Sequence, residues 1–560
     1  MTALRQVVES TEKSKNLNSM GLSEKFDARR SQELVIALAG PIGCGISGVA
    51  DALEERLRDR GYVKVIRIKL SDFLESAVTE KLVAAPMDDE KKSERYNRFR
   101  KLQEVGKELR KKTRNPAVLA EFAARQISLD RIKRKGKEHD PADGPIVPLR
   151  IAYIIDQVKR PEEVTLLRAL YRNLFYLAGV TRIYDRREAA LISESIRKDE
   201  VDGLMEIDRM EDRDDGQQLD KTLFLADYFI RNDSMAADEK MAKLNRFLNL
   251  IHGDQSVTPT EVESGMFAAF SASLRSACLS RQVGAAITAK SGEVIATGCN
   301  DVPMAGGGLY SHSSSPDMRC IHQEGRQCFN DLHKRKLQKD VGAIIDKVLL
   351  AENSELGDEG MPIRLNEKRR EKLLEAIYKQ TRIKDLIEYS RSVHAEMDAI
   401  VSIARIGSSG LEGATLYTTT FPCHNCARHI VASGIMKVFY VEPYEKSLAK
   451  ELHADAIAFE IEESKGENPK RVEFLHFEGV APRQFHSMFR ADGRKNSEGK
   501  FVPIRVQSAD KAIPEYLDGY QDFETKAVEH LEEELAVLRE NSLKNDQLGV
   551  SQPARMEALL

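Results

Sequence analysis

The stretch Leu416–Cys426, LYTTTFPCHNC, is the segment of this 560-residue chain that decides its fold. Its first residues are rich in threonine and carry a tyrosine, a composition that predicts a strand. Pro422 ends that strand, and Cys423 is expected to begin a helix that Gly434 ends. A strand that leads directly into a helix indicates an α/β fold. It also places a Cys-x-x-Cys pair at a helix N-terminus, where the helix dipole favours thiolates.

A second segment upstream, His394-Ala395-Glu396, leads into another helical run from Met397 to Ile403. One histidine and two cysteines are the three ligands that a catalytic Zn²⁺ needs if a fourth position stays open. We therefore predict His394, Cys423 and Cys426 as metal ligands and Zn²⁺ as the cofactor. Glu396 is left free to act as the catalytic proton shuttle. A Cys-x-x-Cys alone would also fit a redox pair or half of a structural zinc site.

An H-x-E segment followed by P-C-x-x-C resembles the signature of zinc-dependent nucleobase deaminases. Upstream, Ser280–Ile287 and Gly292–Gly298 are predicted to form a hairpin that ends in Cys299-Asn300-Asp301-Val302-Pro303. This turn resembles the Gly-x-Asn-x-x-Pro turn of the deoxycytidylate deaminase family. The resemblance implies hydrolytic deamination of a deoxycytidine nucleotide, with Arg281 and Asn300 contacting its sugar and phosphate. The alternative is that Asn300 only supports a turn and Arg281 is solvated.

An insertion, residues 304–390, separates this turn from His394. It contains a Cys-x-His-x5-Cys-x4-His series whose members are Cys320, His322, Cys328 and His333. The series could bind a structural zinc. Free thiols and surface histidines are the favoured alternative, because the spacing fits no common zinc finger.

The N-terminal part begins with the apolar strand Leu34–Ala39, the loop GPIGCGIS at Gly40–Ser47, and a helical run. A strand, a glycine-rich loop and a helix form a phosphate cradle. The predicted nucleotide-binding residues are Gly40, Gly43, Gly45 and Ser47. Ile46 stands where a P-loop has its lysine, so we expect phosphate binding without efficient phosphoryl transfer. A glycine turn that only packs a helix on a strand is the alternative.

Further strands alternate with helices, which predicts a parallel sheet. They are Val63–Leu70, Leu149–Ile155, Leu174–Val180 and Ala226–Asn232. The predicted fold is α/β, with an N-terminal P-loop kinase-like parallel-sheet domain and a C-terminal cytidine-deaminase-like α/β/α domain. The expected divisions are a flexible N-terminus at 1–30, a kinase-like domain at 31–250, a deaminase domain at 255–510, and a helix and tail at 511–560.

The whole arrangement resembles the bacterial anti-phage dCTP deaminases. That resemblance implies that dCTP and dCMP are converted to their uracil forms, that the dCTP pool is drained during phage replication, and that the P-loop domain has a regulatory role. It also implies an inhibitory small RNA as a partner, and the P-loop implies a nucleoside triphosphate. A basic stretch, Lys91–Lys137, is either a site for RNA or another polyphosphate or a solvated helical face.

Overall composition agrees with an intracellular enzyme. Lys and Arg number 85 against 89 Asp and Glu, and tryptophan is absent. Seven cysteines without a secretory pattern predict a reducing cytoplasm, and no segment predicts a membrane span. An apolar stripe at Val528, Leu531, Leu535 and Leu538 packs on its own chain or forms a homo-oligomer contact.

Three functions remain open at this point. The first is a deaminase of free nucleotides. The second is a nucleic-acid-editing deaminase, which the scarcity of aromatic residues for base stacking disfavours. The third is an RNA- or nucleotide-sensing regulator with a vestigial site, which the complete ligand set and Glu396 disfavour.

Overall fold

The computed structural model describes residues 26–27, 29–138, 149–209, 217–233, 236–355, 367–381, 383, 386–407, 410–442, 447–459, 471–491 and 493–517. The apolar stripe from Val528 to Leu538 and most of the N-terminal thirty residues lie outside that set. Within it, every helix is too short or too polar to cross a lipid bilayer.

The first sheet has the strand order β12-β5-β4-β1-β3-β2. Its strands are β1 (Leu34–Ala39), β2 (Lys64–Lys69), β3 (Ile151–Asp156), β4 (Phe175–Thr181), β5 (Tyr228–Arg231) and β12 (Gly479–Val480). Five of them run parallel, and β12 is antiparallel to β5. All residues of β1 and β4 are buried, as expected for a parallel sheet that is covered on both faces. The strands predicted from the sequence are confirmed.

Helices cover both faces of this sheet. They are α1 (Ile46–Asp59), α2 (Leu70–Thr79), α3 (Glu94–Thr113), α4 (Val118–Glu138), α5 (Pro161–Tyr171), α6 (Tyr184–Ser193), α7 (Lys198–Arg209), α8 (Leu219–Phe224) and α9 (Ala237–Ile251). Short 3-10 turns lie at Arg172–Leu174, Cys320–His322 and Pro482–Gln484.

The second sheet has the order β10-β11-β9-β8-β6-β7. Its strands are β6 (Gly284–Thr288), β7 (Val294–Cys299), β8 (Thr415–Thr420), β9 (Lys437–Glu442), β10 (Ile457–Phe459) and β11 (Val472–His476). The predicted hairpin is present as β6 and β7, and β6 is also antiparallel to β8. The helices that follow α9 along the chain are α10 (Glu261–Ser273), α11 (Phe329–Glu355), α12 (Glu367–Gln380), α13 (Ala395–Ile406), α14 (His424–Ala432), α15 (Ala449–Leu452) and α16 (Phe485–Phe489). The predicted α/β class with two sheets is confirmed.

The two sheets are joined by more than the chain between them. After β11 the chain crosses to the first sheet, where Gly479 pairs with Phe229. Further along, the Nζ of Lys511 donates to the carbonyl of Ser31 at 2.5 Å. One buried apolar cluster contains Phe229 from the first sheet together with Tyr417 from the second. The C-terminal part of the 255–510 range therefore packs on the first sheet, while the domain limits stay a prediction.

The basic stretch forms α3 and α4, and several of its cations have partners within the chain. The guanidinium of Arg131 bonds to Glu33 at 2.5 Å, and Arg134 bonds to Asp130 at 2.9 Å. Lys64, on β2, also reaches Asp130, at 2.7 Å. These charges hold α4 against the first sheet, so this end of the stretch is not a free basic surface.

Candidate active site

The three predicted metal ligands lie together at the starts of two helices. His394 is the N-cap of α13, and Cys423 is the N-cap of α14. The Nδ1 of His394 is 3.3 Å from the Sγ of Cys423 and 3.3 Å from the Sγ of Cys426. Both helix starts are therefore where the sequence places them, and their N-termini converge on one point.

These side chains fit a zinc ion. Zn–S and Zn–N bonds of ordinary length place tetrahedral ligands about 3.5 Å apart, close to the separations of the nitrogen from the two sulfurs. The three ligand atoms lie within 4.8 Å of one another, and no other group of three or more His, Cys or acidic side chains that could hold a metal ion occurs among the residues that the structure describes. One imidazole and two thiols match the donor preference of zinc. The set leaves a fourth position for water or substrate.

Hydrogen bonds among the three ligands shift their pKa values. A hydrogen bond from the Cys426 thiol, with the nearby charge of His394, lowers the pKa of Cys423 to about 4. The same bond to Cys423 raises the pKa of Cys426, because the Cys426 thiol donates its proton. The hydrogen bond to Cys423 raises the pKa of His394 to about 9. Cys423 is therefore the thiolate of the group, the form of cysteine that binds a metal, whereas Cys426 and His394 release their protons when a metal binds.

Glu396 lies beside the ligands without belonging to the ligand cluster. It is only 4% exposed, and its Oε2 lies 3.5 Å from the Sγ of Cys426. Burial raises the pKa of this carboxyl, because the charged form loses water. A carboxyl with a raised pKa, in the first turn of α13, can take up and release a proton near the metal position.

Helix α13 reaches this position because it approaches β7 closely. A Cβ on Gly298 would lie 2.2 Å from the carbonyl oxygen of Ala395 and 2.5 Å from the amide nitrogen of Ala399. Only glycine allows this approach. One turn further, the carboxylate of Asp398 accepts from the amide of Cys299 at 3.1 Å, which fixes α13 along the end of β7.

A cavity of about 270 Å³ opens over the ligands, and Glu396, Arg281 and Asn300 all line it. Asn300 supports the loop before β6, since its Oδ1 accepts from the amide of Val283 and its Nδ2 donates to the carbonyl of Arg281, both at 2.8 Å. Arg281 is half exposed and pairs with Glu442 at 3.0 Å. The structure thus brings both predicted substrate residues to the pocket, and Asn300 is placed to position Arg281.

Sequence reasoning missed part of this pocket. Asn330, Asp331 and Lys334 line it from α11, which belongs to the insertion. Thr420 and Phe421, between β8 and the Cys423 helix, line it as well. Asn330 and Lys334 are one helical turn apart, and this spacing was the available sequence signal that they share a helix face. No local pattern indicates that this face packs beside the distant metal ligands.

The four residues considered for a second zinc do not converge. The Nε2 of His322 is 3.2 Å from Asp317, while His333 stacks on Tyr389 with ring centroids 5.3 Å apart. The Sγ of Cys328 contacts the hydroxyl of Ser280 at 3.9 Å. Within the described residues, these side chains form no metal-binding group. The alternative of free thiols and surface histidines describes them better.

The glycine-rich loop has the backbone of a phosphate cradle. It connects β1 to α1, with Gly43 at φ +80° and Gly45 at φ +76°. Those left-handed conformations favour glycine at both positions. Ser47 is exposed in the first turn of α1, whereas Ile46 is buried and 7% exposed. The side chain that replaces the lysine of a P-loop therefore points into the core.

Side chains from other elements form hydrogen bonds with the backbone of this loop. The carboxylate of Asp208, at the end of α7, accepts from the amide of Ile42 at 2.7 Å and pairs with Lys159. The Nε of Arg187 donates to the carbonyl of Ile42 at 2.9 Å. The amide of Asn232 donates to the carbonyl of Cys44 at 2.8 Å. One loop amide is thus already bonded to a carboxylate.

A second cavity, of about 430 Å³, lies beside the loop, at the junction of the two sheets. Thr181 lines it from the end of β4, Arg187 lines it from α6, and His476 lines it from β11 of the second sheet. Burial lowers the pKa of the Arg187 guanidinium, and the hydroxyl of Thr181 is buried without a hydrogen-bond partner among the described residues. Acidic groups, including Asp202 and Glu206, form another part of its wall.

Comparison with known proteins agrees with the geometry of the first site. Residues 259–442 match the family model described as cytidine and deoxycytidylate deaminase zinc-binding region. The matched family binds zinc through this region, which confirms the predicted cofactor. The matched range contains His394, Glu396, Cys423 and Cys426, and it also contains α11 of the insertion.

Curated relatives match over a short segment. A deoxycytidylate deaminase of Enterobacteria phage T2 is 53% identical over 55 residues, which is 10% of this chain and 29% of that protein. ComE operon protein 2 of Bacillus subtilis is 39% identical over 56 residues, 10% of this chain and 29% of its own length. The chain therefore spans less than a third of the length of these relatives.

Among solved structures, a dCMP deaminase from cyanophage S-TIM5 in complex with dCMP and dUMP aligns at 18% identity and a TM-score of 0.22. That alignment covers 40% of this chain and 99% of the other. Over residues 259–442, the chain is similar to the zinc-binding region of cytidine and deoxycytidylate deaminases.

Proposed function

We propose that the protein is a zinc-dependent hydrolase that deaminates deoxycytidine nucleotides, dCMP and dCTP, to the uracil nucleotides. One observation carries this proposal. His394, Cys423 and Cys426 meet within 4.8 Å, and the buried, non-ligating carboxyl of Glu396 lies 3.5 Å from one of their sulfurs, in a pocket. A three-ligand zinc site with an adjacent free carboxyl is the arrangement that hydrolytic deamination of a nucleobase requires.

Bound zinc would activate a water molecule for attack at neutral pH. His394, Cys423 and Cys426 would hold the ion. Glu396 takes a proton from the water and delivers it to the N3 atom of cytosine as the oxygen bonds to C4. A second proton, passed through the same carboxyl, leaves with the amino group as ammonia. The amino group is thus replaced by the water oxygen, and Glu396 ends in its starting state.

The remaining pocket residues position the nucleotide. The ring of Phe421 lines the pocket next to Cys423, where it can pack against the pyrimidine. Arg281 lies at the exposed side of the pocket and can bind a phosphate there, on a loop that Asn300 fixes. The base therefore enters toward Glu396, and the phosphate stays near the opening.

We propose further that the conversion of dCTP drains the dCTP pool in anti-phage defence and that the P-loop domain regulates it. Support for the regulatory role comes from the junction of the sheets. The cavity beside the glycine-rich loop is lined by Thr181 and Arg231 of the first sheet and by His476 of the second. A phosphate-bearing ligand in this cavity, beside Pro41 of the loop, would therefore contact the sheet that carries the active site. An inhibitory small RNA and a homo-oligomer belong to the same proposal.

The test is a direct product assay. Purified protein is incubated with dCMP, dCTP, cytosine-containing single-stranded DNA and cytosine-containing RNA, and uracil products are quantified beside the zinc content. Conversion of the free nucleotides alone supports the proposal. Conversion of single-stranded DNA or RNA in preference to them would assign a nucleic-acid-editing deaminase instead. Stoichiometric zinc without any product would indicate a sensing protein with a vestigial site.

A further inference from the structure

The insertion between the Asn300 turn and His394 contributes a wall of the active-site cavity. Asn330, Asp331 and Lys334 project from the first two turns of α11 into the cavity that also exposes His394 and Glu396. The insertion is thus part of the site that surrounds the substrate. Its side chains add an amide, a carboxylate and an ammonium group to the lining of the cavity.

The side-chain amide of Asn330 is fixed on this wall through its nitrogen, while its oxygen accepts no hydrogen bond from the described residues. It is 8% exposed, and its Nδ2 donates to the carbonyl of Leu386 at 3.0 Å. Its Oδ1 is buried and has no hydrogen-bond partner among the described residues. An unsatisfied buried acceptor costs free energy, and a native structure usually has a reason for it. A ligand hydroxyl that reaches this oxygen would satisfy it.

Lys334 lies one turn further along the same face of α11. Residues four apart on a helix are neighbours, about 5–6 Å between their Cβ atoms. Lys334 is only 8% exposed, and a lysine is rarely this buried without a specific electrostatic role. Arg281, the other basic residue that lines the cavity, is 52% exposed in its side chain. Lys334 is therefore the less exposed of these two cations.

We propose that this face of α11 recognises the sugar and phosphate of the nucleotide. Lys334 binds the anionic phosphate, and the Oδ1 of Asn330 accepts a hydrogen bond from the 3′-hydroxyl of the deoxyribose. This assignment rests on the proposed deaminase function, which it extends from the base to the rest of the substrate. It makes the protein selective for nucleotides over the nucleoside through an element outside the metal-binding segments.

The two residues have different signatures in a kinetic test. Deamination of dCTP, dCMP and deoxycytidine is measured for the full chain, for Lys334→Met and for the control Lys336→Met, an exposed lysine on the same helix. We expect Lys334→Met to lower kcat/KM by about tenfold or more for both nucleotides while deoxycytidine changes less than about twofold. The control should match the original protein on all three substrates.

Asn330→Ala should lower kcat/KM for nucleotides and nucleoside alike, because both carry the 3′-hydroxyl. With 2′,3′-dideoxycytidine monophosphate the original protein should lose activity, whereas Asn330→Ala should show no further loss. Independent, additive losses would overturn the assigned contact. Equal losses of nucleotide and nucleoside activity in Lys334→Met would assign Lys334 a structural role and overturn its part of the proposal.

Binding separates this inference from the proposed function. Calorimetric titration of dCMP into Glu396→Gln protein, with and without Lys334→Met, reports phosphate recognition without turnover. If dCMP binding depends on Lys334 but the protein with Glu396 intact deaminates none of the substrates, the proposed function is refuted and nucleotide recognition by α11 stands. Normal turnover and normal dCMP binding in Lys334→Met would refute nucleotide recognition by α11 and leave the proposed function standing. If the methionine variant loses its zinc, Lys334→Arg is assayed in its place. The arginine retains the positive charge, so this variant should preserve the preference for nucleotides over deoxycytidine.

Discussion

The carboxylate of Glu396 lies 3.5 Å from the Sγ of Cys426, although the two residues begin separate helices. Neither segment alone forms this relationship. It arises because α13 and α14 both start at the same point of the second sheet, with the ligands between them. The contact places a proton carrier beside the metal position, although that carboxyl is not itself a metal ligand. The separation of proton transfer from metal ligation can be tested directly.

Glu396→Gln should abolish deamination, by about 10³-fold or more, while zinc stays bound. An amide of the same shape cannot shuttle a proton, and the three ligands remain. Activity is measured by product formation and zinc by elemental analysis of the same samples. Glu412→Gln, at an exposed position before β8, is the control and should behave like the original protein. Loss of zinc from the Glu396 variant would show that Glu396 is a ligand.

Cys426→Ala should lose both zinc and activity, because two remaining ligands hold the ion weakly. The measurement is zinc content after dialysis against a chelator. Cys44→Ala removes another buried thiol, one that packs in the first sheet's core, and should retain stoichiometric zinc. Full zinc occupancy in the Cys426 variant would overturn the coordination described above.

Gly298→Ala should disturb the metal site indirectly, by displacing the start of α13. The new Cβ would lie 2.2 Å from the carbonyl of Ala395, so the start of α13 must shift. We expect a loss of about 1–3 kcal/mol in the free energy of unfolding together with weaker zinc binding. Gly203→Ala is the matched control, because a Cβ there meets nothing within 4 Å in helix α7. That change should be neutral or stabilise by about 0.5–1 kcal/mol. Equal behaviour of the two variants would contradict the close packing of α13 on β7.

The N-terminal domain should not transfer phosphoryl groups. Ile46 is buried where a P-loop lysine would reach the phosphates, and the amide of Ile42 is bonded to Asp208. We expect no diphosphate product from ATP and deoxynucleoside monophosphates. Arg187→Met should weaken binding of a triphosphate by about tenfold and leave the zinc content unchanged. Steady kinase turnover would show that the loop is catalytic, and unaltered triphosphate binding in the Arg187 variant would remove that cavity from the regulatory proposal.

Acid should destabilise the fold through His252. Its Nδ1 donates to the carbonyl of Leu248 at 2.6 Å, and its Nε2 accepts from the hydroxyl of Tyr62 at 3.0 Å. Burial lowers the pKa of His252 from 6.5 to about 3, so the folded protein holds it neutral. The unfolded chain protonates His252 below pH 6.5, whereas the folded protein does so only near pH 3. The stability that depends on a neutral His252 is therefore complete above pH 6.5 and falls as the pH drops toward 3. Its slope is at most about 1.4 kcal/mol per pH unit.

The measurement is the free energy of unfolding by denaturant at pH 5 and pH 7.5. His252→Asn should lower stability at pH 7.5 and flatten the difference between the two pH values. His486→Asn, at an exposed position on α16, serves as the control and should keep the original difference. An undiminished pH difference in the His252 variant would show that His252 is protonated in the fold.

Short-range patterns in the sequence determined a large part of this protein. The five parallel strands of the first sheet, the β6–β7 hairpin and the helices that start at His394 and Cys423 follow from local composition, proline and glycine. The chemistry of the metal site follows too, because the ligand types and their spacing within each segment set which ion they suit. These features depend on residues a few positions apart, and the chain encodes them directly.

Tertiary structure alone decided the rest. The placement of Asn330 and Lys334 beside Glu396, the bond from Ile42 to Asp208, which is 166 residues away, and the return of β12 to the first sheet all join distant segments. No periodicity encodes such contacts, since they depend on how buried faces pack and on which polar groups find partners as the two sheets come together. The metal-binding residues were therefore readable from the sequence, whereas the walls around them were set by the packing of an inserted helix.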